Sequence, residues 1–206
     1  MDYTQRLQRV IPGGAHTYSR GADQFPANAP NILSRGKGAY VFDEKGTRYL
    51  DYGMALRAVT IGYAEDEIDE AAIREIRNGN NLTRPSIIEL EAAESLCSLI
   101  KSAEMVKFAK NGSNSVSAAV KLARAFTGRE LIARCAQHPF FSFDDWFIGS
   151  TLITRGIPVS TVSQTKLFHY GDISSLENLF EEFPSQIACV VLEPATLDHP
   201  PKGYLQ

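Results

Sequence analysis

A short polar stretch, Asn111-Gly112-Ser113-Asn114, separates an apolar run from a long helical pattern. The N-terminus of a helix carries backbone N–H groups without partners and the positive end of the helix dipole, so it attracts anions. Glycine lets a ligand approach the backbone closely, and asparagine and serine side chains add hydrogen bonds. Such a turn suits a phosphate group. The same pattern also suits a plain helix cap, in which the side chain of Ser113 or Asn114 accepts a backbone hydrogen bond.

Other kinds of catalytic or binding site are not indicated by the sequence. It lacks G-x-x-x-x-G-K-[ST] and G-x-G-x-x-G, so it has neither a nucleotide P-loop nor a dinucleotide fingerprint. His16, His169 and His199 do not have the spacing of metal ligands, and we expect no metal site. The three cysteines are widely spaced within apolar stretches, and we interpret them as reduced core thiols of a cytosolic protein.

The composition is that of a globular protein of one domain, or of one domain and part of another. Of the 206 residues, 44% are hydrophobic and 22% are charged, which is enough apolar material for a core. The net charge is only -3 and the basic residues are scattered, so we expect no nucleic-acid partner. No run approaches the length of a membrane span and the N-terminus lacks an apolar leader, which predicts a cytoplasmic protein without a membrane partner.

The first part of the sequence predicts a short helix, an irregular arm and a β-hairpin. The helix covers 4–10 and ends at a proline followed by paired glycines. Residues 13–38 have no clear period and form the arm. Residues 39–43 and 48–52 alternate as strands, with Gly46 in the turn between them.

The rest of the sequence alternates helical and strand patterns, which favours an α/β layer with a mainly parallel sheet flanked by helices. Ser-x-x-Glu capping boxes at 86–89 and 174–177 mark two of the helix starts. The predicted helices are 65–77, 86–100, the polar turn to Gly128, and 174–183, and the predicted strands are 105–109, 130–135, 157–163 and 187–192.

The helix after the polar turn has two neighbouring apolar rows, and together they predict a broad buried face. The rows are Val116, Val120 and Ala123, and Ala119, Leu122 and Phe126.

Six motifs that stand in the order of a known family span nearly the whole chain. With them the chain resembles the class III, fold-type I pyridoxal-phosphate aminotransferases, and within these the glutamate-1-semialdehyde 2,1-aminomutases and related aminotransferases of sugar and secondary-metabolite pathways. Each motif alone is weak, but six in order are specific for the superfamily, although much less so for the substrate. The motifs are Val10-Ile11-Pro12-Gly13-Gly14, Gly36 to Asp43, Gly46 to Tyr52, Met105-Val106-Lys107-Phe108 leading into Asn111-Gly112-Ser113, Lys121 to Arg129, and Leu192-Glu193-Pro194.

The resemblance implies a fold, an activity and a cofactor. Residues 1–60 are expected to form the N-terminal arm and β-hairpin segment, and residues 61–206 the first part of the large domain of a pyridoxal-phosphate-dependent transferase. The implied activity is amino-group transfer on a small amino acid or keto substrate, with pyridoxal 5'-phosphate as cofactor. Asn111, Gly112 and Ser113 fall on the positions that bind the cofactor phosphate. Many relatives carry Ser-Gly-Thr-Glu there, but donors remain at each position in this chain.

The resemblance also implies further site residues. The family stacks an aromatic ring from a Tyr-His-Gly segment on the cofactor; here the tyrosine is absent, and His138 or Phe140 is expected to supply the ring. Glu193 matches a glutamate beside the cofactor, and Arg20 matches an arginine that grips the substrate carboxylate, for which a planar guanidinium is well suited. The alternatives are aromatic packing for the two rings, a structural carboxylate for Glu193, and an exposed arm residue for Arg20.

In relatives, the Schiff-base lysine and the aspartate against the pyridinium nitrogen both follow the Glu-Pro segment. None of the lysines present, including Lys110 and Lys121, falls on that lysine position, so no residue is assigned as catalytic. We therefore expect the N-terminal half of a longer enzyme, with little or no activity alone. Its exposed apolar edges predict a homodimer, or association with a chain that carries the other half. The alternative is a non-catalytic phosphate-binding or protein-binding module derived from the same fold.

Overall fold

The computed structural model describes residues 2–138, 141–195 and 198–205. These fall into two compact units, which comprise residues 1–87 and 88–206. The division at residue 60 that the family resemblance implies stays a prediction. Within the described residues, no helix combines the length and apolar character needed to span a membrane.

The first unit begins with helix α1, Tyr3–Val10, which confirms the helix predicted at 4–10. Asp2 caps it, since its carboxylate accepts from the Gln5 backbone N–H at 2.8 Å and its own N–H donates back to the Gln5 side chain at 3.2 Å. The arm that follows contains 3-10 turns at Pro12–Gly14, Tyr18–Arg20 and Ala22–Gln24.

A three-stranded antiparallel sheet with strand order β1-β2-β3 follows the arm. Its strands are β1, Leu33–Lys37, β2, Tyr40–Asp43, and β3, Arg48–Leu50. The predicted hairpin is confirmed as the β2–β3 pair, and Gly46 has a φ of 85°, a conformation that glycine adopts without strain. Strand β1 was missed, because the sequence Leu-Ser-Arg-Gly-Lys has no apolar alternation and the strand is mostly exposed.

The unit ends with a left-handed turn and a long helix. The turn, α2, is Met54–Arg57, and all of its residues have positive φ values between 45° and 70°. The Asp51 carboxylate holds it by accepting from the Gly53 N–H at 2.8 Å and from the Tyr63 hydroxyl at 2.5 Å. Helix α3, Asp66–Asn78, confirms the helix predicted at 65–77.

The second unit is built on a three-stranded parallel sheet with strand order β5-β4-β6. The strands are β4, Leu131–Cys135, β5, Thr165–Phe168, and β6, Ile187–Val191. The predicted strands at 130–135 and 187–192 and their parallel pairing are confirmed. The helices of this unit are α4, Ile87–Leu99, α5, Gly112–Thr127, α6, Asp145–Ile148, α7, Val159–Val162, and α8, Ile173–Glu182.

Two apolar clusters cover the two faces of this sheet, since neighbouring β4 residues point to opposite sides. On one face Ile132 packs with Val120 of α5 and with Trp146 and Phe147 of α6. On the other face Ala133 and Cys135 pack with Phe168 and Ile187, and side chains of α8 cover them. The predicted α/β architecture with a parallel sheet flanked by helices is therefore confirmed.

Two strand predictions in this unit were wrong. Residues 159–162 form a helical turn after Pro158, and the strand comes later, at Thr165–Phe168. Residues 105–109 pair with no strand among the described residues, and the Met105 side chain is 90% exposed. A strand is stabilised by backbone hydrogen bonds to a neighbouring strand, and an apolar sequence alone does not supply them.

Two details of the helices also differ from expectation. The N-cap of α8 is Asp172 rather than Ser174, because the Asp172 carboxylate accepts from the Ser175 N–H at 3.1 Å. On α5 only one of the two apolar rows is buried, since Leu122 is 70% exposed and Phe126 is 90% exposed. The broad buried face predicted for α5 is therefore narrower in the structure.

Candidate functional site

Three polar or aromatic side chains meet just beyond the carboxyl ends of the parallel strands. His138 follows β4, Tyr170 follows β5 and Glu193 follows β6. The Glu193 backbone N–H donates to His138 Nδ1 at 2.9 Å, and the rings of Tyr170 and His138 lie 5.3 Å apart. Tyr170 Oη in turn donates to the Pro194 carbonyl at 2.8 Å. Open α/β sheets bind ligands at this edge, so this cluster is the candidate site.

Helix α5 runs antiparallel to the strands, which places its N-terminus at the same edge. Near its C-terminus, Arg124 Nη2 donates to Gln164 Oε1 at 3.3 Å, directly before β5 begins. Nearer its N-terminus, Ser117 Oγ accepts from Trp146 Nε1 at 3.0 Å and lies 3.0 Å from Ser142 Oγ, and both partners follow β4 in the chain. The structure therefore brings the polar turn, His138 and Glu193 to one edge of the sheet.

The polar turn is capped by Asn111, not by Ser113 or Asn114. Asn111 has an extended backbone, and its Oδ1 accepts from the Asn114 N–H at 2.9 Å. The cap uses only the amide oxygen, so the Nδ2 group remains a donor. Among the described residues, no acceptor is found for the backbone N–H groups of Gly112 and Ser113.

Space is open in front of this turn. A Cβ atom built on Gly112 meets nothing within 4 Å, so crowding by the chain does not explain a glycine at this position. The positive end of the α5 dipole and the two free N–H groups point to an anion. A phosphate group fits this donor set and this open space.

His138 is buried, with 7% of its surface exposed. Because Nδ1 accepts a hydrogen bond, the neutral ring carries its proton on Nε2. Burial lowers the pKa of His138, the Arg134 charge lowers it further, and the Glu193 carboxylate opposes them in part, so the ring is neutral near pH 7. Nε2 has no hydrogen-bond partner among the described residues, and an unsatisfied buried donor costs about 1–3 kcal/mol.

Arg134, on β4, is a buried cation that the sequence analysis did not select. It is 3% exposed and its guanidinium lies 4.7 Å from the centre of the Phe147 ring. Its Nε donates to Ser150 Oγ at 2.8 Å, its Nη2 to the Ser150 carbonyl at 3.1 Å, and its Nη1 to the Cys135 carbonyl at 2.9 Å. Burial lowers its pKa. Arg134 thus links the segment after α6 to β4 through hydrogen bonds. In the sequence, a charged residue inside a buried apolar run could have identified it.

Gln137 and Tyr170 were also missed. Gln137 Oε1 accepts from the Tyr170 backbone N–H at 3.0 Å, and its Nε2 lies 2.9 Å from His169 Nδ1, so it ties the end of β4 to the end of β5. Tyr170 was overlooked because the preceding strand was predicted too early, at 157–163. A correctly placed strand would have put Tyr170 at the carboxyl edge.

The roles expected for Phe140 and Arg20 stay predictions. Phe140 lies outside the described residues. Arg20 ends a 3-10 turn of the first unit and is exposed. The described residues contain no cluster of three or more His, Cys, Asp or Glu side chains that suits a metal ion.

Comparison with known proteins gives consistent relatives. The chain is 32% identical to the glutamate-1-semialdehyde 2,1-aminomutase of Tropheryma whipplei (strain Twist), over 93% of this chain and 44% of that protein. It is similar to the FumI protein of Sphingopyxis sp. MTA144, solved in a PLP internal aldimine form, with 33% identity and a TM-score of 0.85 over 94% of this chain and 45% of that one. It is also similar to an omega-transaminase from Sphaerobacter thermophilus, with 29% identity and a TM-score of 0.83 over 94% of this chain and 46% of that one.

The chain spans less than half the length of these relatives. The family model for class-III aminotransferases matches residues 20–197, which is most of the chain and includes the polar turn, His138 and Glu193. This chain therefore belongs to the class-III aminotransferase family.

Proposed function

We propose that this chain is the cofactor-binding part of a pyridoxal-phosphate-dependent enzyme of amino-group transfer, either an aminomutase acting on glutamate 1-semialdehyde or an aminotransferase. Family membership and the names of the relatives support this activity. The observation that carries it is the open turn at Gly112, with free N–H groups at the carboxyl edge of the sheet. When bound, pyridoxal phosphate acts as an electron sink for a carbanion on the substrate.

The polar turn binds the phosphate in this proposal. The N–H groups of Gly112 and Ser113 and the Ser113 hydroxyl donate to phosphate oxygens, and Asn111 adds its Nδ2 group while its Oδ1 keeps the helix capped. The dipole of α5, a helix of 16 residues, favours the negative charge. The helix that carries these groups is anchored without a ligand, because its Ser117 accepts a hydrogen bond from Trp146.

The other site residues orient the cofactor and the substrate. Glu193 stands at the end of β6 and places a carboxylate beside the cofactor ring. His138 belongs to the segment after β4 that borders the ring. The family resemblance assigns the stacking ring to His138 or Phe140. The family resemblance assigns Arg20 to the substrate carboxylate, which a planar guanidinium suits.

The family resemblance assigns the Schiff-base lysine and the ring-nitrogen aspartate to positions after the Glu-Pro segment. We therefore propose that residues 1–206 bind the cofactor without turning over an amino donor by themselves. Release of keto product from an amino donor by the purified 206-residue chain would contradict this part. The alternative function is a non-catalytic binding module. Such a module would use the same phosphate site, but it would show no turnover even when the second half of a relative is supplied.

One variant pair tests the phosphate site. Asn111→Asp keeps a cap, since a carboxylate also accepts from the Asn114 N–H, but it sets a negative charge against the phosphate. Asn178→Asp makes the same charge change on the exposed face of α8. We expect pyridoxal phosphate to bind to the wild-type chain and to Asn178→Asp, with inorganic phosphate as competitor, and to bind at least 10-fold more weakly to Asn111→Asp. Equal affinity in all three chains rejects the assignment.

A further inference from the structure

We infer that His138 donates a hydrogen bond from Nε2 to an oxygen atom of bound pyridoxal phosphate, and that the Glu193 backbone holds it in the required tautomer. The inference rests on the proposed cofactor site and adds the way in which His138 takes part. It assigns His138 as a hydrogen-bond donor at the edge of the ligand, whereas the family resemblance alone offered it as a stacking ring.

The tautomer follows from the observed hydrogen bond. A backbone N–H can only donate, so Nδ1 of His138 must present its lone pair to Glu193. The neutral imidazole then has its hydrogen on Nε2, which makes that atom a donor. Residues of two neighbouring strand ends thus fix the ring before any ligand binds.

The ring has little freedom to present anything except this donor. Phe141 meets it edge to face with 5.9 Å between ring centres, and Tyr170 meets it at a tilt with 5.3 Å between ring centres. His138 is more than nine-tenths buried, so no face is open enough for stacking within the described structure.

The neighbouring polar groups already have hydrogen-bond partners, so Nε2 of His138 is the donor that remains without one. Tyr170 Oη donates to the Pro194 carbonyl, and both ends of the Gln137 amide are bound at the end of β5. Among the described residues, Nε2 of His138 is the only buried side-chain nitrogen or oxygen without a hydrogen bond. An acceptor supplied by a ligand at this edge satisfies it.

A neutral donor suits a ligand oxygen that carries negative charge. Hydrogen bonds to charged acceptors are stronger than those between neutral groups. Pyridoxal phosphate offers such oxygens on its phosphate and on its ring. Titrations with inorganic phosphate, with pyridoxal and with pyridoxal phosphate distinguish a phosphate oxygen from a ring oxygen as the acceptor.

Nitrogen-15 NMR of the histidine rings tests the inference without any turnover. The chain has only four histidines, and His138→Gln identifies the signal of His138. In the ligand-free chain we expect the neutral Nε2–H tautomer at pH 7. Pyridoxal phosphate should move the Nε2–H proton signal; a matching shift with inorganic phosphate assigns the phosphate oxygen, and a shift with pyridoxal assigns the ring oxygen. An unmoved signal under saturating pyridoxal phosphate overturns the inference, and so does the opposite tautomer.

Binding by variants gives a second, independent readout. His138→Phe removes the donor, and we expect pyridoxal phosphate to bind about 10- to 100-fold more weakly. His138→Gln keeps an acceptor for Glu193 and a donor for the ligand, so its affinity should stay within a few-fold of wild type. If His138→Phe misfolds by circular dichroism, the comparison of wild type with His138→Gln and the NMR result decide.

Failure of this inference differs from failure of the proposed function. If pyridoxal phosphate binds, depends on Asn111 and leaves the His138 signal unchanged, the phosphate site stands and the role of His138 is rejected. If pyridoxal phosphate does not bind to the wild-type chain, the proposed function fails and this inference fails with it.

Discussion

At the residue scale, individual side chains connect secondary structure to the candidate site. Asn111 ends the extended segment and caps α5 with its Oδ1. His138 and Glu193 link two strand ends through one hydrogen bond. Arg134 uses three nitrogen donors to hold the segment after α6. The site therefore depends on residues whose polar groups are mostly used within the fold.

Replacement of Arg134 should reveal how much this buried cation stabilises the second unit. Arg134→Met leaves the Ser150 and Cys135 oxygens without donors, and we expect the free energy of unfolding to fall by about 1–3 kcal/mol. Arg134→Lys should also lose stability, because one ammonium group does not reproduce the fork of the guanidinium. Arg155→Met, at an exposed position, is the matched control and should change little. Urea unfolding followed by circular dichroism measures all three, and equal stability of Arg134→Met and wild type would refute this role.

The stability of the first unit is expected to depend on pH through Asp51. The hydrogen bond from Tyr63 lowers the pKa of Asp51, and N–H groups of Gly53, Met54 and Ala55 lower it further, while burial partly opposes them. A carboxylate with a lowered pKa stabilises the folded state above its ordinary value of 3.8, and this contribution is lost as the pH falls through the folded pKa. Thermal melts from pH 6 to pH 2 should show wild type losing stability on the acid side. Asp51→Asn should start less stable and show a smaller loss, and parallel curves for the two chains would exclude the assignment.

At the element scale, the orientation of α5 decides where the polar turn lies. Ser117 receives the Trp146 indole N–H and contacts Ser142, so it joins the second turn of α5 to the chain after β4. Val120 packs on Ile132 in the same cluster. These contacts keep the N-terminus of the helix at the carboxyl edge of the sheet.

Ser117→Ala tests this anchoring. The change leaves the Trp146 N–H buried without an acceptor, and we expect a loss of about 1–3 kcal/mol in the free energy of unfolding. Trp146 is the only tryptophan, so its fluorescence reports directly on this region. Ser115→Ala serves as the control, because Ser115 is exposed on the same helix and its hydroxyl makes only a solvent-exposed hydrogen bond to the Asn111 carbonyl. A loss no larger for Ser117→Ala than for Ser115→Ala would show that the buried network does not stabilise the helix.

The sequence predicted most helices and the central strands, because their apolar patterns match their burial. It misplaced β5, in which Leu167 is exposed while Thr165 is buried, so the burial pattern opposes the hydrophobic pattern. It missed β1, which depends on pairing with β2 rather than on apolar side chains. The candidate phosphate-binding turn was recognisable because its signal is local, from Asn111 to Asn114. Tyr170, Gln137 and Arg134 depend on contacts between strands that no local pattern contains.

At the scale of the whole molecule, the second unit has an apolar surface with no partner among the described residues. Leu122 and Phe126 of α5 are exposed, and so are Met105 and Phe108 in the segment before it. Leu122 and Phe126 stand four residues apart and are neighbours on the helix, and neighbouring exposed apolar side chains can mark an interface. We propose that this surface packs against the part of the fold that the longer relatives carry beyond the matched residues.

The exposed row on α5 should make the 206-residue chain bind a hydrophobic dye and associate with itself. Leu122→Ser combined with Phe126→Ser removes two large apolar side chains, and we expect dye fluorescence and the associated fraction to decrease several-fold. Size-exclusion chromatography with light scattering measures association. A wild-type monomer that does not bind the dye would contradict the proposal.

The central claim is that the first turn of α5 binds the phosphate of pyridoxal phosphate, and backbone amide NMR measures it most directly. During a titration with pyridoxal phosphate, we predict large downfield shifts of the Gly112 and Ser113 amide protons, because both N–H groups gain a charged acceptor. Gly128, at the other end of the helix, should remain unchanged, since its N–H already donates to the Arg124 carbonyl. Inorganic phosphate should shift the same two amides. Bound pyridoxal phosphate that leaves both amides unshifted would contradict the account.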